Sequence, residues 1–458
     1  MTILINHDMP SGHGPSALTR WLTVAAGYAI AAGAAVALAG MSACSVLNDV
    51  APPSNLVDTG QVESQASALA MYNGAIYYFD RNYGGGATSG FDGSFMGITG
   101  VFSDEYIGVV GGSFVTVDTH TGTPQVDQGP YDGLQNARRL VDEAIKHLVA
   151  NGGTLPKSYT GEMHALKGYI YLALSELYCS GVPFSTLVGT GLVTYGVPET
   201  TEEMNRHAVA QFDSAVTYAS DSARILQLAA VGKGRALLNL GEFDSAKAAV
   251  ASVPTTFAYL MTYNATYPNY IQPSVGGNGY YSMADREGTN GLDFVSTTDA
   301  RMARVAFGGK PYIAKIPTGT TSLPLANGVE ARLIEAEAAL RAGDVAAWTA
   351  ALNTLRASGG TTPVPALTAD STTTAADTLR VNVMFRERAF WLFGLGHRQG
   401  DMRRLIRQYG RLPEKTYPIG VVTIGAVPVA YGTTPVMDVP QAEIDNNPKY
   451  HGCLNHDA

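Results

Sequence analysis

Apolar side chains recur every three to four residues through much of the chain beyond residue 61, and no other feature constrains the fold as strongly. Leu69, Tyr72, Ile76 and Phe79 make one such stripe. Leu134, Ala137, Val141, Ala144 and Leu148 make a second, and Met163, Leu166, Ile170, Leu174 and Leu177 a third. Each is the buried face of an amphipathic helix. The third stops at "CSGVPF", where Gly181 is placed for a left-handed C-cap and Pro183 bars continuation.

Two later segments read as helical hairpins. In 235–254, Leu237 and Leu240 end one helix, Gly241 turns the chain, and Ala246, Ala249, Val250 and Val253 stripe the next. In 327–357, Val329, Leu333, Ala336 and Leu340 stripe the first helix, and Asn327 and Glu330 have capping-box spacing. Gly343 then turns the chain, Asp344 caps the second helix, and Val345, Trp348, Leu352 and Leu355 stripe it. These small-residue patterns resemble tetratricopeptide (TPR) hairpins, in which small side chains let helices approach closely. Between the helices lie stretches of another composition. Residues 77–95, 108–130 and 259–294 are rich in Gly, Tyr, Asn and Thr, and loops that long inside a compact domain are usually functional.

The first residues are set apart. Arg20 precedes an apolar run ending in "MSAC", a secretory pattern in which Cys44 resembles the lipidated cysteine of a bacterial lipobox. The expected organisation is a signal peptide over 1–43, a lipidated tether over 44–61, and one helical domain over 62–458 with loop-rich insertions near 77–130 and 259–326. An uncleaved membrane anchor is the competing reading of the same run. Cys179 and Cys453 then remain, either paired in an oxidising compartment or as two buried thiols. The net charge of −9 argues against nucleic acid as a partner, because sequence-independent binding needs basic patches.

Several stretches together resemble the SusD/RagB family of surface lipoproteins. They are "MSAC", "FSDEYIG" (102–108), "YDGLQNARRLVDEAI", "GEMHALKGYIYLALSELYCSGVPF", "EARLIEAEAALRAGD", "VMFRERAFWLFGLGHRQGDMRRL" and "VPQAEIDNNP" (439–448), in the family's order. The chain departs from the family pattern at Leu395, where an acidic residue is usual, and at Gln399 and Gly400, where aromatics are common. The resemblance implies a mainly α, TPR-containing scaffold, lipid-anchored (palmitate-type acylation at Cys44) at the outer-membrane surface. It implies a non-catalytic protein that captures polysaccharide or oligosaccharide and passes it to a TonB-dependent, SusC-like transporter. A TPR-type scaffold or peptide-binding lipoprotein is the alternative.

The residues themselves carry three chemical readings. "LFGLGHRQGDMRRL" (392–405) places Arg398 three residues, and His397 four, before Asp401, within pairing reach on a helix. It reads either as an anion site through Arg403 and Arg404 or, preferably, as internal wiring that locks the tail through Glu443 and Asp445. A hydrolase would need two carboxylates roughly 5–9 Å apart across a cleft. Glu335 and Glu337 point about 200° apart on a helix, and the adjacent Asp104 and Glu105 are equally unsuited. No Gly-x-Ser-x-Gly, His-Glu-x-x-His or P-loop occurs, and no cofactor or metal is expected. Asp285, Glu287, Asn290 and Asp293 offer oxygens for Ca²⁺, but their spacing is not that of an EF-hand.

The tyrosines point furthest. An aromatic face with a hydroxyl suits a sugar ring, which presents C–H faces and a polar rim. Tyr263, Tyr267, Tyr270, Tyr280 and Tyr281 crowd one region, and Tyr77, Tyr78 and Tyr83 another. The candidate glycan-binding set is Tyr78, Tyr83, Tyr267, Tyr270, Tyr280 and Tyr281, with Asp285 (or Asn269) for sugar hydroxyls and Arg286 for an acidic sugar. Two or three tyrosines of the set are expected to line the surface and the rest to pack the loops. Tyr77 and Tyr78 point about 100° apart on a helix, so at most one of them faces the ligand.

Overall fold

Ser64 opens the first helix, α1 (Gln65–Gly84), by accepting the Ser67 N–H while the Ser67 hydroxyl accepts that of Ser64, a reciprocal cap. The computed structural model describes residues 63–86, 93–108, 113–121, 128–188, 192–271, 281–358, 364–368, 377–424 and 427–457. The secretory run, Cys44, the tether and Tyr280 lie outside the described residues.

Short helices α2 (Phe95–Phe102) and α3 (Ser113–Asp118) lead to the long pair α4 (Gln128–Asn151) and α5 (Ser158–Leu177). Next come α6 (Thr201–Tyr218), α7 (Ala223–Asn239), α8 (Phe243–Val250), α9 (Gly328–Arg341) and α10 (Val345–Ser358). The last helices are α11 (Asp377–Trp391), α12 (Arg398–Arg407) and α13 (Gln441–Asn446). From α4 to α10 each helix packs on its neighbour in sequence, and α1 packs on α4. This is the TPR-like array of helical hairpins that the stripes imply. The stripes of α4 and α5 are buried in full; in α1, Tyr72 and Phe79 are buried and Leu69 and Ile76 half-buried.

The hairpin turns form as expected. Gly241 (φ 77°) and Gly343 (φ 73°) sit in the left-handed region. Asn327 accepts the Glu330 N–H at 2.8 Å, and Asp344 accepts the Ala347 N–H at 2.9 Å; the return half of the expected capping box does not form, because the Glu330 carboxylate is buried without a hydrogen-bond partner. Close approach uses the small residues: a Cβ on Gly168 would lie 2.7 Å from the Phe212 ring. The expected role of Gly181 is corrected. α5 ends at Leu177 with an extended Tyr178, because the Cys179 N–H is drawn to the Met437 carbonyl (2.9 Å). Gly181 (φ 119°) lies beyond the cap, packed against Leu454.

Among the described residues every sheet is a two-stranded antiparallel ladder. The pairings 106–108 with 281–283 and 258–261 with 323–327 hold the long loops to the helices. Tyr178 to Asn455 is a seam between the end of α5 and the tail, closed by a Cys179–Cys453 disulfide with Cα atoms 5.9 Å apart. Of the two readings for these cysteines, the structure shows the paired one. No helix among the described residues is long and apolar enough to cross a membrane.

Candidate ligand-binding surface

The C-terminal half of α1 presents three directions at once. Phe79 and Tyr83 face inward, stacked at 5.1 Å, with Tyr83 also against Phe95 (4.8 Å). Tyr78 is half-buried against the core, and its carbonyl accepts the Asn82 side chain. Tyr77 and Arg81, one helical turn apart, share the third direction. The Arg81 guanidinium lies 3.3 Å from the Tyr77 ring centroid, and its Nη1 donates to the Tyr77 carbonyl at 2.9 Å.

The 259–267 segment completes this face. Thr262 N–H donates to the Asp80 carboxylate (3.2 Å), and the Tyr263 hydroxyl to the Asp80 carbonyl (2.9 Å). Burial pushes Asp80 up to about 7 despite that N–H. Beyond it, the Asn264 side chain accepts both the Thr266 and Tyr267 N–H groups at 2.9 Å, a turn that fixes where Tyr267 stands. The Tyr267 ring meets Tyr77 edge to face at 5.1 Å and 87°, and Arg81 lies 4.6 Å from its centroid. Tyr267 is 39% exposed. The result is a surface bracket of two tyrosines held by one buried arginine.

The other candidate residues fall elsewhere. Tyr83 and Tyr281 are core residues, 1% and 3% exposed, because their rings fill the interior. The Tyr281 hydroxyl donates to the Tyr270 carbonyl, and Tyr270 is half-buried. The Asn269 amide binds the carbonyls of Thr318, Gly319 and Thr321. Asp285 accepts the Ser296 N–H (2.9 Å), and Arg286 pairs with Asp293 (2.5 Å), both exposed. Of the residues considered for Ca²⁺, Asp285, Glu287 and Asp293 thus have carboxylate oxygens already engaged, Glu287 by Arg398. Of the pair Tyr77 and Tyr78, sequence reasoning chose Tyr78 for its candidate set, and it did not single out Arg81. The signal was the Tyr77–Arg81 spacing of four once 77–84 is helical.

The "LFGLGHRQGDMRRL" stretch is wiring of a different pattern from the one expected. Asp401 is gripped by Arg388 (2.9 Å) and Arg404 (2.9 Å), and Arg404 forks onto Glu337 (2.8 Å). Burial alone would raise Asp401, but Arg388 and Arg404 outweigh it and hold the carboxyl low. Arg403 donates to the Tyr178 carbonyl (2.9 Å). Arg398 reaches away to Glu287, not to Asp401. Neither Glu443 nor Asp445 joins in: Glu443 accepts from Tyr131 and Asp445 from Gln441. Gln399 makes the link to the tail instead, donating to the Pro435 carbonyl (2.8 Å) and accepting from Tyr417 (3.0 Å). Gly400 leaves room for Glu176, which binds Arg235.

Asp104 gains a distant carboxylate neighbour. Burial pushes it well above the usual range and the Asp118 charge adds to that, while Asp118 itself rises to about 7. Both are buried, and Asp104 accepts from Tyr431 (2.5 Å) and from the Gly288 N–H (2.7 Å).

No family model and no curated protein matches the sequence. Solved structures do match the fold. A SusD superfamily protein from Bacteroides fragilis superposes with a TM-score of 0.65 at 15% identity, covering 85% of this chain and 99% of that one. Surface glycan-binding protein A from Bacteroides uniformis gives 0.57 at 14% identity, with 85% and 98% covered. A laminarin-binding SusD-like protein gives 0.56 at 13%, with 86% and 99% covered. The chain therefore has the SusD-like fold.

Proposed function

We propose that this SusD-like chain is a non-catalytic glycan-binding protein of the SusD/RagB type. The observation that carries the reading is the Tyr77–Tyr267 bracket. Two aromatic rings set at right angles on the surface, one of them 39% exposed, offer a face and an edge to the C–H side of a sugar. Solved neighbours named for glycan and laminarin binding support the same class of ligand.

The reading carries its cellular setting with it. Cys44 would bear the lipid that holds the protein at the outer-membrane surface. A TonB-dependent, SusC-like transporter would take up the captured oligosaccharide. The Asp104–Asp118 pair is buried, and one oxygen of each carboxyl accepts a hydrogen bond, from Tyr431 and from the Gly108 N–H.

The test is affinity electrophoresis of the purified protein through gels loaded with neutral polysaccharides, with reducing ends assayed alongside. Retardation by at least one polymer, with no new reducing ends, is expected. Tyr267→Ala should weaken that retention about tenfold, the order of one lost aromatic contact. New reducing ends, or retention indifferent to Tyr267→Ala, would sink the reading. Retention of a protein or peptide partner, with no retention by any glycan, would favour the scaffold instead.

A further inference from the structure

Arg398 grips Glu287 with only part of its guanidinium. Its Nε and Nη2 form the fork, at 2.5 and 2.8 Å. The remaining amino group, Nη1, is buried without a protein partner, in a residue that is only 5% exposed. Arg398 lines a cleft of about 400 Å³ where three segments converge: the loop at 287–292, the N-terminal part of α11, and residues 411–416.

The charges in this cleft are lopsided. Arg386, Arg411 and Lys415 join Arg398, against the single carboxylate of Glu287, which Arg398 already neutralises. Arg411 is steadied by the Asn382 side chain (2.8 Å) and the Thr378 carbonyl (3.1 Å), and Lys415 stands exposed at the rim. Arg386 is loosely placed, 3.8 Å from an Asp299 already bound by Arg301. On a chain of net charge −9, three cations beyond the Arg398–Glu287 pair make a local positive field around one pocket. Leu379 and Val383 add an apolar wall beside them. Guanidinium groups match planar oxyanions, and the volume fits one or two sugar units.

We infer that this cleft is a second binding site, which takes an oxyanion-bearing sugar unit, a uronate or a sulfated residue of an acidic polysaccharide. It rests on the reading of the protein as glycan-binding but uses none of the residues of the tyrosine bracket. The two can therefore fail separately. It also gives the "LFGLGHRQGDMRRL" stretch a split role, with Arg388, Arg403 and Arg404 buried as wiring and Arg398 in the wall of the cleft, where it holds and neutralises Glu287.

The experiment runs the purified protein through gels carrying dextran, dextran sulfate or polygalacturonate at low salt, and repeats it at rising NaCl. Dextran and its sulfate share a backbone, so the pair isolates sulfate, and polygalacturonate reports carboxylate. Retardation by one or both polyanions, fading with salt, is expected. Arg411→Ala with Lys415→Ala should cut it about tenfold and leave retention by neutral glycans unchanged. Lys415→Ala alone breaks no hydrogen bond that Arg411 makes, and serves if the double variant folds poorly. It should cost a few-fold. Tyr267→Ala should leave polyanion retention intact. Absence of retardation by either polyanion would overturn the inference, as would full retention by both cation variants. Loss of neutral-glycan binding alone would leave it standing.

Discussion

Two regions of this molecule built on buried arginine use the same side chain in opposite ways. Around α12, Arg388 and Arg404 are 1% exposed, and carboxylates meet them from two elements. At the end of α1, Arg81 is also buried, but the ring faces of Tyr77 and Tyr267 surround it. The first arrangement fixes how helices dock. The second fixes how two surface rings stand. The comparison teaches that buried arginine marks rigidity in this fold, and that the partner type tells what is being held rigid.

The largest effect should come from breaking the first region. Asp401→Ala leaves Arg388 and Arg404 facing each other in a buried region with Glu337 as the ion-pair partner they share. Removing one partner of a buried charge network costs about 3–5 kcal/mol. Chemical denaturation should show that loss, while the remaining folded protein binds glycan as before. A loss below about 1 kcal/mol would mean the network is no tighter than a surface pair.

A second substitution sharpens the contrast through pH. Glu330 lies in the same buried region, with neither carboxyl oxygen hydrogen-bonded and His397 Nδ1 3.6 Å away. Burial pushes Glu330 up to about 7, and Arg235 and Arg388 only partly oppose it. The folded pKa is raised, so this group's contribution is fully present below about pH 4.5 and is lost as pH rises through 7. His397 runs the other way: burial and then Arg235 hold it well below its usual value, so its contribution falls as pH drops below 6.5. Glu330→Gln removes only the first. It should flatten the decline in stability between pH 5 and 8 and gain on the order of 2 kcal/mol over the native protein at pH 8, relative to pH 5. Parallel pH–stability curves for the two proteins would show that Glu330 is charged throughout.

How much of this was legible depends on sequence distance. The stripes of α4 and α5 and the turns at Gly241 and Gly343 are local, so spacing alone exposed them. Partner choice is not local. Arg398 lies three residues from Asp401 yet pairs with Glu287, because Arg388 and Arg404 already occupy Asp401. Cys179 and Cys453 are 274 residues apart, and composition allows them to pair without requiring it. The tyrosine surface was legible only in part, for a finer reason. The stripe through Tyr72 and Phe79 sets the phase of α1, but choosing Tyr77 over Tyr78 also requires knowing that Tyr267, 190 residues on, packs against Tyr77. Tyr83 then follows Phe79 inward by the same phase.

The smallest effect tests the bracket itself. In Arg81→Lys the charge stays, and the long apolar stem still fills the space beneath Tyr77. What goes is the flat guanidinium, 3.3 Å from one ring centroid and 4.6 Å from the other, which touches both rings at once. An ammonium is a point charge and can favour one ring only. If Arg81 acts by setting the angle between the tyrosines, neutral-glycan affinity should fall only about two- to fivefold, with little change in melting temperature. Rotational freedom regained by Tyr267 would be the cause, since a ligand that meets a looser ring must order it on binding. The same variant should leave polyanion retention at the Arg398 cleft alone. Unchanged neutral-glycan affinity would show that the Asn264 turn places Tyr267 by itself, and that the cation beneath it contributes stability but no geometry.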